Sequence, residues 1–166
     1  MTPALHPNAQ LIHAFYGALQ RRDGLTMGAF YGPHATFQDP VFGQLDRVRA
    51  AAMWRMLCER ATDLDLTISD VTADESRGAA HWEARYTFSA TGRHVTNRID
   101  AQFEFTSGRI HRHVDQFDLY AWARQALGLK GLLFGWAPPV QQAIRAQAAR
   151  GLDTYVAKHD APRDKS

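Results

Sequence analysis

From Trp82 to Phe117 the chain alternates apolar and polar residues with period two, interrupted at Thr91-Gly92 and Ser107-Gly108. Trp82, Ala84, Tyr86 and Phe88 alternate with Glu83, Arg85 and Thr87. Val95, Asn97, Ile99, Ala101, Phe103 and Phe105 alternate with His94, Thr96, Arg98, Asp100, Gln102 and Glu104. Long strands joined by tight turns fold as an antiparallel meander with one buried face and one wet face. A slip of one residue would turn every apolar side chain to water, so the pattern fixes the register. Leu64, Leu66 and Ile68 add a strand before this block, and Arg109 to Phe117 forms the last one.

The buried face needs a cover, and the preceding residues supply it. Leu11, Ile12, Phe15, Ala18 and Leu19 recur at helical spacing between Asn8 and Arg22, with Asn8 as the expected cap. A short helix is expected over Leu25 to Tyr31, a break at Gly32-Pro33 and a brief strand from Ala35 to Gln38. A third helix runs from about Arg47 to Ala61. Helices first and meander after make the class α+β, with three N-terminal helices packed on a strongly curved antiparallel sheet and a C-terminal helical extension. Residues 8–127 form the expected cone-shaped domain. Residues 128–158 add an apolar loop and a helix from about Pro139, with Val140, Ile144, Ala148, Leu152 and Tyr155 on one stripe. Residues 159–166 are expected to be disordered.

Composition narrows the partners. A length of 166 residues suits one domain, and a formal charge of +2 without a basic-aromatic stripe argues against nucleic acid. The single cysteine, Cys58, excludes an internal disulfide. MTPALHPNAQ lacks a secretory pattern and no apolar run nears the ~20 residues of a membrane span, so a cytoplasmic protein without a membrane partner is expected. Leu132, Leu133, Phe134 and Trp136 crowd the loop Leu127–Trp136, which either covers the mouth of the cone or is buried in a homodimer.

Some polar residues break the apolar face. Asn97 is in phase with Val95 and Ile99, and His113 and Asp115 are in phase with Phe117. Buried and unpaired, each would cost roughly 1–3 kcal/mol, so they are either a satisfied network or the polar floor of a cavity. Asp39, set between Phe37 and Val41-Phe42 and followed by Pro40, is either a turn residue or a working acid/base. Phe15, Tyr16, Phe37, Trp54, Trp82, Tyr86 and Phe117 would wall such a cavity, a mix suited to a small molecule. His113 and Asp115 alone make no metal site, and no metal is expected. No serine sits in a Gly-x-Ser-x-Gly context and Cys58 lies mid-helix, so nucleophilic chemistry lacks a candidate.

Three helices, a strand bearing Phe-x-Asp-Pro and a long meander resemble the nuclear transport factor 2-like, or SnoaL-like, superfamily over about residues 8 to 127. FQDPVFG (37–43) resembles the short strand of ketosteroid isomerases, and the resemblance puts the proton-shuttling base on Asp39. Phe15 occupies the place of that family's tyrosine, with Tyr16 on a different helix face. Ala101 occupies the place of its second acid, and only a bulge would turn the neighbouring Asp100 inward. TGRHVTNRIDAQFEFTSGRIHRHVDQFDLYAW (91–122) is similar to the last hairpin of limonene-epoxide hydrolases and carries one catalytic aspartate onto Asp115. The companion Arg and Asp of that family fall on Trp82 and Ala84. The resemblance also implies a homodimer through the outer sheet face. The resulting expectation is a cofactor-free isomerase, cyclase or dehydratase that moves a proton beside a carbonyl of a hydrophobic ring-containing molecule. Asp39 would take the proton, His113 would serve the oxyanion, and Asp115 would orient His113 or act as a second acid. The alternative is a non-catalytic protein that binds a lipid-like ligand or a protein partner.

Overall fold

The computed structural model describes residues 3–159. In chain order the elements are α1 (Pro7–Gln20), α2 (Gly24–Ala29), β1 (Tyr31–Asp39), β2 (Gly43–Asp46), α3 (Arg47–Arg60), β3 (Asp65–Ala73) and β4 (Arg77–Phe88). There follow β5 (Arg93–Thr106), β6 (Arg109–Gln116), α4 (Leu119–Leu127), α5 (Leu129–Phe134) and α6 (Pro138–His159). Residues 160–166 of the expected disordered tail lie outside the described residues, and His159 closes α6.

One six-stranded sheet has the order β2-β1-β6-β5-β4-β3 and is not closed. β4 and β5 pair in unbroken antiparallel register, Trp82 opposite Ile99 and Tyr86 opposite Val95, as the alternation demands. The sheet is mixed rather than purely antiparallel, because β1 lies parallel to β6. No hairpin links those two strands, so turn geometry does not impose an antiparallel pairing. Gly32-Pro33 does not end an element as expected. It sits inside β1, where the register jumps from Tyr31 opposite Ile110 to Thr36 opposite Arg112. Proline, lacking an N–H, falls in that unpaired stretch. β2 was not expected; it turns back on β1, pairing Asp39 with Gly43.

Local chemistry sets the helix ends. α1 starts at Pro7, where a missing N–H costs nothing, and His6 Nδ1 accepts from the Asn8 N–H at 3.1 Å. Asn8 is therefore not the cap. Its buried amide donates to the carbonyls of Asp74 and Glu75 at 3.0 and 3.1 Å, tying α1 to the β3–β4 turn. Asp23 caps α2 by accepting from the Thr26 N–H, and α2 stops at Ala29 instead of Tyr31. Asp46 caps α3 by accepting from the Arg49 N–H.

The inner sheet face buries Trp82, Ile99, Ala101 and Phe103 against Ile12, Phe15 and Tyr16 of α1 and Met53 and Trp54 of α3. α6 packs on α3, with Leu152 fully buried, Tyr155 Oη donating to Glu59 and Arg49 paired with Asp153 at 2.6 Å. Where an irregular loop was expected, α5 forms a short helix. Among the described residues no helix is long and apolar enough to cross a membrane.

Candidate active site

β6 carries the polar centre. His113 and Asp115 both face inward, while Arg112 and Gln116 face solvent. The sheet register places Phe37 on one side of His113 and Phe103 on the other, and Ala101 beside Asp115. His113 is completely buried among rings. Phe103 stacks on it at 4.4 Å between centroids, Trp54 at 6.2 Å, and Phe37 meets it edge-on at 5.0 Å. Ala101 stands opposite Asp115 at the place where the isomerase resemblance would have put a second acid.

An ordered chain of hydrogen bonds runs through this centre. Trp54 Nε1 donates to Tyr31 Oη at 2.9 Å, Tyr31 Oη lies 2.8 Å from His113 Nδ1, and His113 Nε2 lies 2.9 Å from Asp115 Oδ1. Every donor is used when Tyr31 donates to Nδ1 and His113 carries its proton on Nε2, pointing at Asp115. Asp115 thus orients His113. The spacing of two residues left that contact open. Tyr31 was missed because Gly32-Pro33 hid the strand it begins. The register jump between Tyr31 and Thr36 breaks the alternation, so no period-two pattern pointed to Tyr31.

Asp39 ends β1, half-buried. Its Oδ1 accepts the backbone N–H groups of Val41 at 2.9 Å and Phe42 at 2.6 Å. The residue is therefore a turn former, and its carboxyl also has an unusual acidity. Burial pushes its pKa up to about 6. The Phe42 N–H opposes this, the charge of Asp115 reinforces it, and Val41 N–H and His113 oppose it more weakly. A carboxyl that titrates near neutrality is suited to both taking and returning a proton.

Tyr16 is not turned away from the site. It is as buried as Phe15, with ring centroids 5.2 Å from Phe15 and 5.2 Å from Trp82. Its hydroxyl is held well above the usual tyrosine range by burial, then by the Asp115 charge and by Tyr31. Tyr16 Oη and Trp82 Nε1 are both buried without a hydrogen-bond partner.

The remaining candidates do not join this centre. Asn97 pairs with Ala84 and lies four positions along β5 from Ala101, ~13 Å of strand. Tyr86 gives its hydroxyl to Trp122 Nε1 as acceptor at 2.8 Å, and Phe117 packs half-buried at the edge of the core. Asp100 faces outward and binds His81 Nδ1 at 2.9 Å, so no bulge brings it in. Among the described residues no three His, Cys, Asp or Glu side chains converge as a metal site. One hollow of about 390 Å³ lies between α1 and the β5–β6 turn, and one of about 230 Å³ is lined by Thr36, Gln38, Gln44 and Arg112 and reaches the β6 backbone at His113 and Val114. Neither touches Asp39, Asp115 or Tyr16.

The SnoaL-like domain family matches residues 12–113, which span α1 to the middle of β6. The chain belongs to the SnoaL-like family. An epoxide hydrolase of the limonene-epoxide hydrolase type from M. tuberculosis is 23% identical, with a TM-score of 0.63 over 82% of this chain and 99% of that one. A putative polyketide cyclase from Xanthomonas campestris is 20% identical, with a TM-score of 0.61 over 72% and 96%. A putative isomerase from Rhodopseudomonas palustris is 18% identical, with a TM-score of 0.62 over 77% and 99%. No curated protein matches the chain. Identities this low carry the SnoaL-like fold alone.

Proposed function

We propose that this SnoaL-like protein is a cofactor-independent acid/base enzyme that moves a proton beside a carbonyl of a small, hydrophobic, ring-containing molecule. The observation that carries the reading is the Tyr16 hydroxyl, fully buried beside Asp115 with no partner. An orphaned buried hydroxyl costs roughly 1–3 kcal/mol, a cost removed when a substrate oxygen accepts its hydrogen bond. Trp82 Nε1, equally unpartnered, belongs to the ring packed against Tyr16, with centroids 5.2 Å apart, and is a further unused donor there. Asp39, with its pKa near 6, takes the proton from the carbon next to that carbonyl and returns it to another position. His113, bonded to Asp115 through Nε2 and to Tyr31 through Nδ1, holds the Asp115 carboxyl in place. This division differs from the sequence expectation: oxyanion contact passes from His113, whose two nitrogens are already bonded, to Tyr16. The isomerase and cyclase descriptions of structural neighbours are compatible with proton transfer of this kind.

A second reading has its own observation. Asp39 Oδ1 is occupied by two backbone N–H groups, and the interior around His113 is filled by rings. In a non-catalytic binding protein Asp39 would be a turn residue only. The two readings separate by measurement. Exchange of α-protons for deuterium in a panel of cyclic ketones and enones, followed by NMR, should be accelerated by the wild type. Asp39→Asn, whose Oδ1 can still accept both N–H groups, should lose that acceleration while staying folded at least as stably as the wild type near neutral pH, and Tyr16→Phe should lose most of it. Acceleration that survives Asp39→Asn would leave Asp39 a turn residue.

A further inference from the structure

α5 is folded inside out. Its contact face is glycine: Gly131 is buried, a Cβ there would overlap the Ala123 carbonyl of α4, and one on Gly135 would lie 2.9 Å from Ala123 Cβ. Its large apolar side chains point the other way. Leu129 is 70% exposed, Trp136 63%, and Leu132, Leu133 and Phe134 are each at least half exposed. They do not cover the mouth of the cone within this chain, as a lid would.

The carboxyl end of the segment is also closed against an apolar medium, while its amino end has no side-chain cap. The last four carbonyls of a helix normally rely on water. Here Gly131 O accepts from the Gly135 N–H, Phe134 O from the Ala137 N–H, Leu132 O from Tyr120 Oη and Leu133 O from Trp136 Nε1. All four are bonded, with two side-chain polar groups spent on them. Entry into hydrocarbon demands such closure, since unsatisfied polar backbone is expensive there.

Charge selects the occupant. From Leu119 to Leu152 the sequence holds Arg124, Lys130, Arg145 and Arg150 and no Asp or Glu. Arg93, whose guanidinium lies against Gly128 and donates to Gln125 O, adds a further cation at the start of α5. A symmetric contact with a second copy would set these charges against their own kind. It would also be small: five half-exposed side chains offer on the order of 500 Å², short of the ~800 Å² per partner of a standard interface. An apolar wedge with Lys130 within it, Arg124 and Arg93 at its start and a tryptophan at its edge matches the interface of a bilayer with negatively charged headgroups. We propose that α5 docks this protein on an anionic lipid bilayer, against the expectation that it meets no membrane.

Sedimentation of the full chain with vesicles tests this. The protein should pellet with equimolar phosphatidylcholine and phosphatidylglycerol and stay in solution with phosphatidylcholine alone, with binding weakened by salt. The triple variant Leu132→Ser, Leu133→Ser, Phe134→Ser alters exposed side chains that make no hydrogen bond, so its melting temperature should hold while its partition coefficient falls roughly a hundredfold. Lys130→Glu should lower it roughly tenfold. Failure of the wild type to bind anionic vesicles overturns the proposal. Equal binding by the triple variant overturns it as well. So does a wild-type dimer in light scattering that the triple variant dissociates without any vesicle binding, which would assign α5 to a second copy.

Discussion

At the residue scale, Asp39 combines two demands that oppose each other. The N–H groups of Val41 and Phe42 favour its charged form, while burial and Asp115 favour the neutral one, and burial wins. Because its folded pKa of about 6 lies above the unfolded value of 3.8, the native state holds the proton more tightly than the unfolded chain. Its stabilising contribution is therefore complete below about pH 4 and lost as pH rises through 6. The stability difference between wild type and Asp39→Asn should fall by on the order of 2–3 kcal/mol across that window and stay flat above it. Urea titrations at a series of pH values check this, and a flat difference from pH 4 upward would mean an ordinary carboxyl. Tyr31 makes a separate claim. Tyr31→Phe leaves Trp54 Nε1 and His113 Nδ1 buried without partners, so it should cost roughly 2–4 kcal/mol in the same assay. A loss below ~0.5 kcal/mol would mean that water replaces the hydroxyl. The inward placement of His113 and Asp115 was legible because a polar residue in phase with a buried face stands out. The hydroxyls of Tyr16 and Tyr31 were not, since a tyrosine in a core pattern reads as an apolar ring until its Oη is located.

At the scale of elements, the meander was legible and the irregular pieces were not. Period two carries strand, face and register together, so β4 and β5 pair as their sequences alternate. β1 was truncated because Gly32-Pro33 is a general breaker, whereas here the missing N–H coincides with a register jump. α5 was read as a loop because Gly128, Gly131 and Gly135 punctuate it, and in the fold two of those glycines form its packing surface. The close approach of α5 to α4 makes a further prediction. Gly131→Ala drives a methyl into the Ala123 carbonyl and must part the two helices. It should destabilise the protein by roughly 1–3 kcal/mol and raise amide exchange in α4 and α5 ahead of the sheet. Unchanged exchange there would show that α5 is not held by its glycine face.

For the whole molecule, the C-terminal extension and the cone act on the same turn. The family match ends at residue 113, and α6 lies beyond it. α6 buries Leu152 on α3, and its Arg145 Nε donates to Pro40 O at 2.8 Å, one residue after Asp39. The extension thus holds the β1–β2 turn, and with it the carboxyl that the proposed chemistry needs. The sequence showed that an extension exists and which stripe of it is apolar. It did not show where that stripe lands, because the contact from Arg145 to Pro40 spans most of the chain and leaves no local pattern. The central claim, that Asp39 works as a base over the Tyr16 donor, is tested most directly by the pH dependence of α-proton exchange in a responsive cyclic ketone. The account predicts a rate that rises with pH, inflects near 6 and levels off above it, with no such inflection in Asp39→Asn. A rate indistinguishable from buffer across the panel, or the same profile in both proteins, would contradict it.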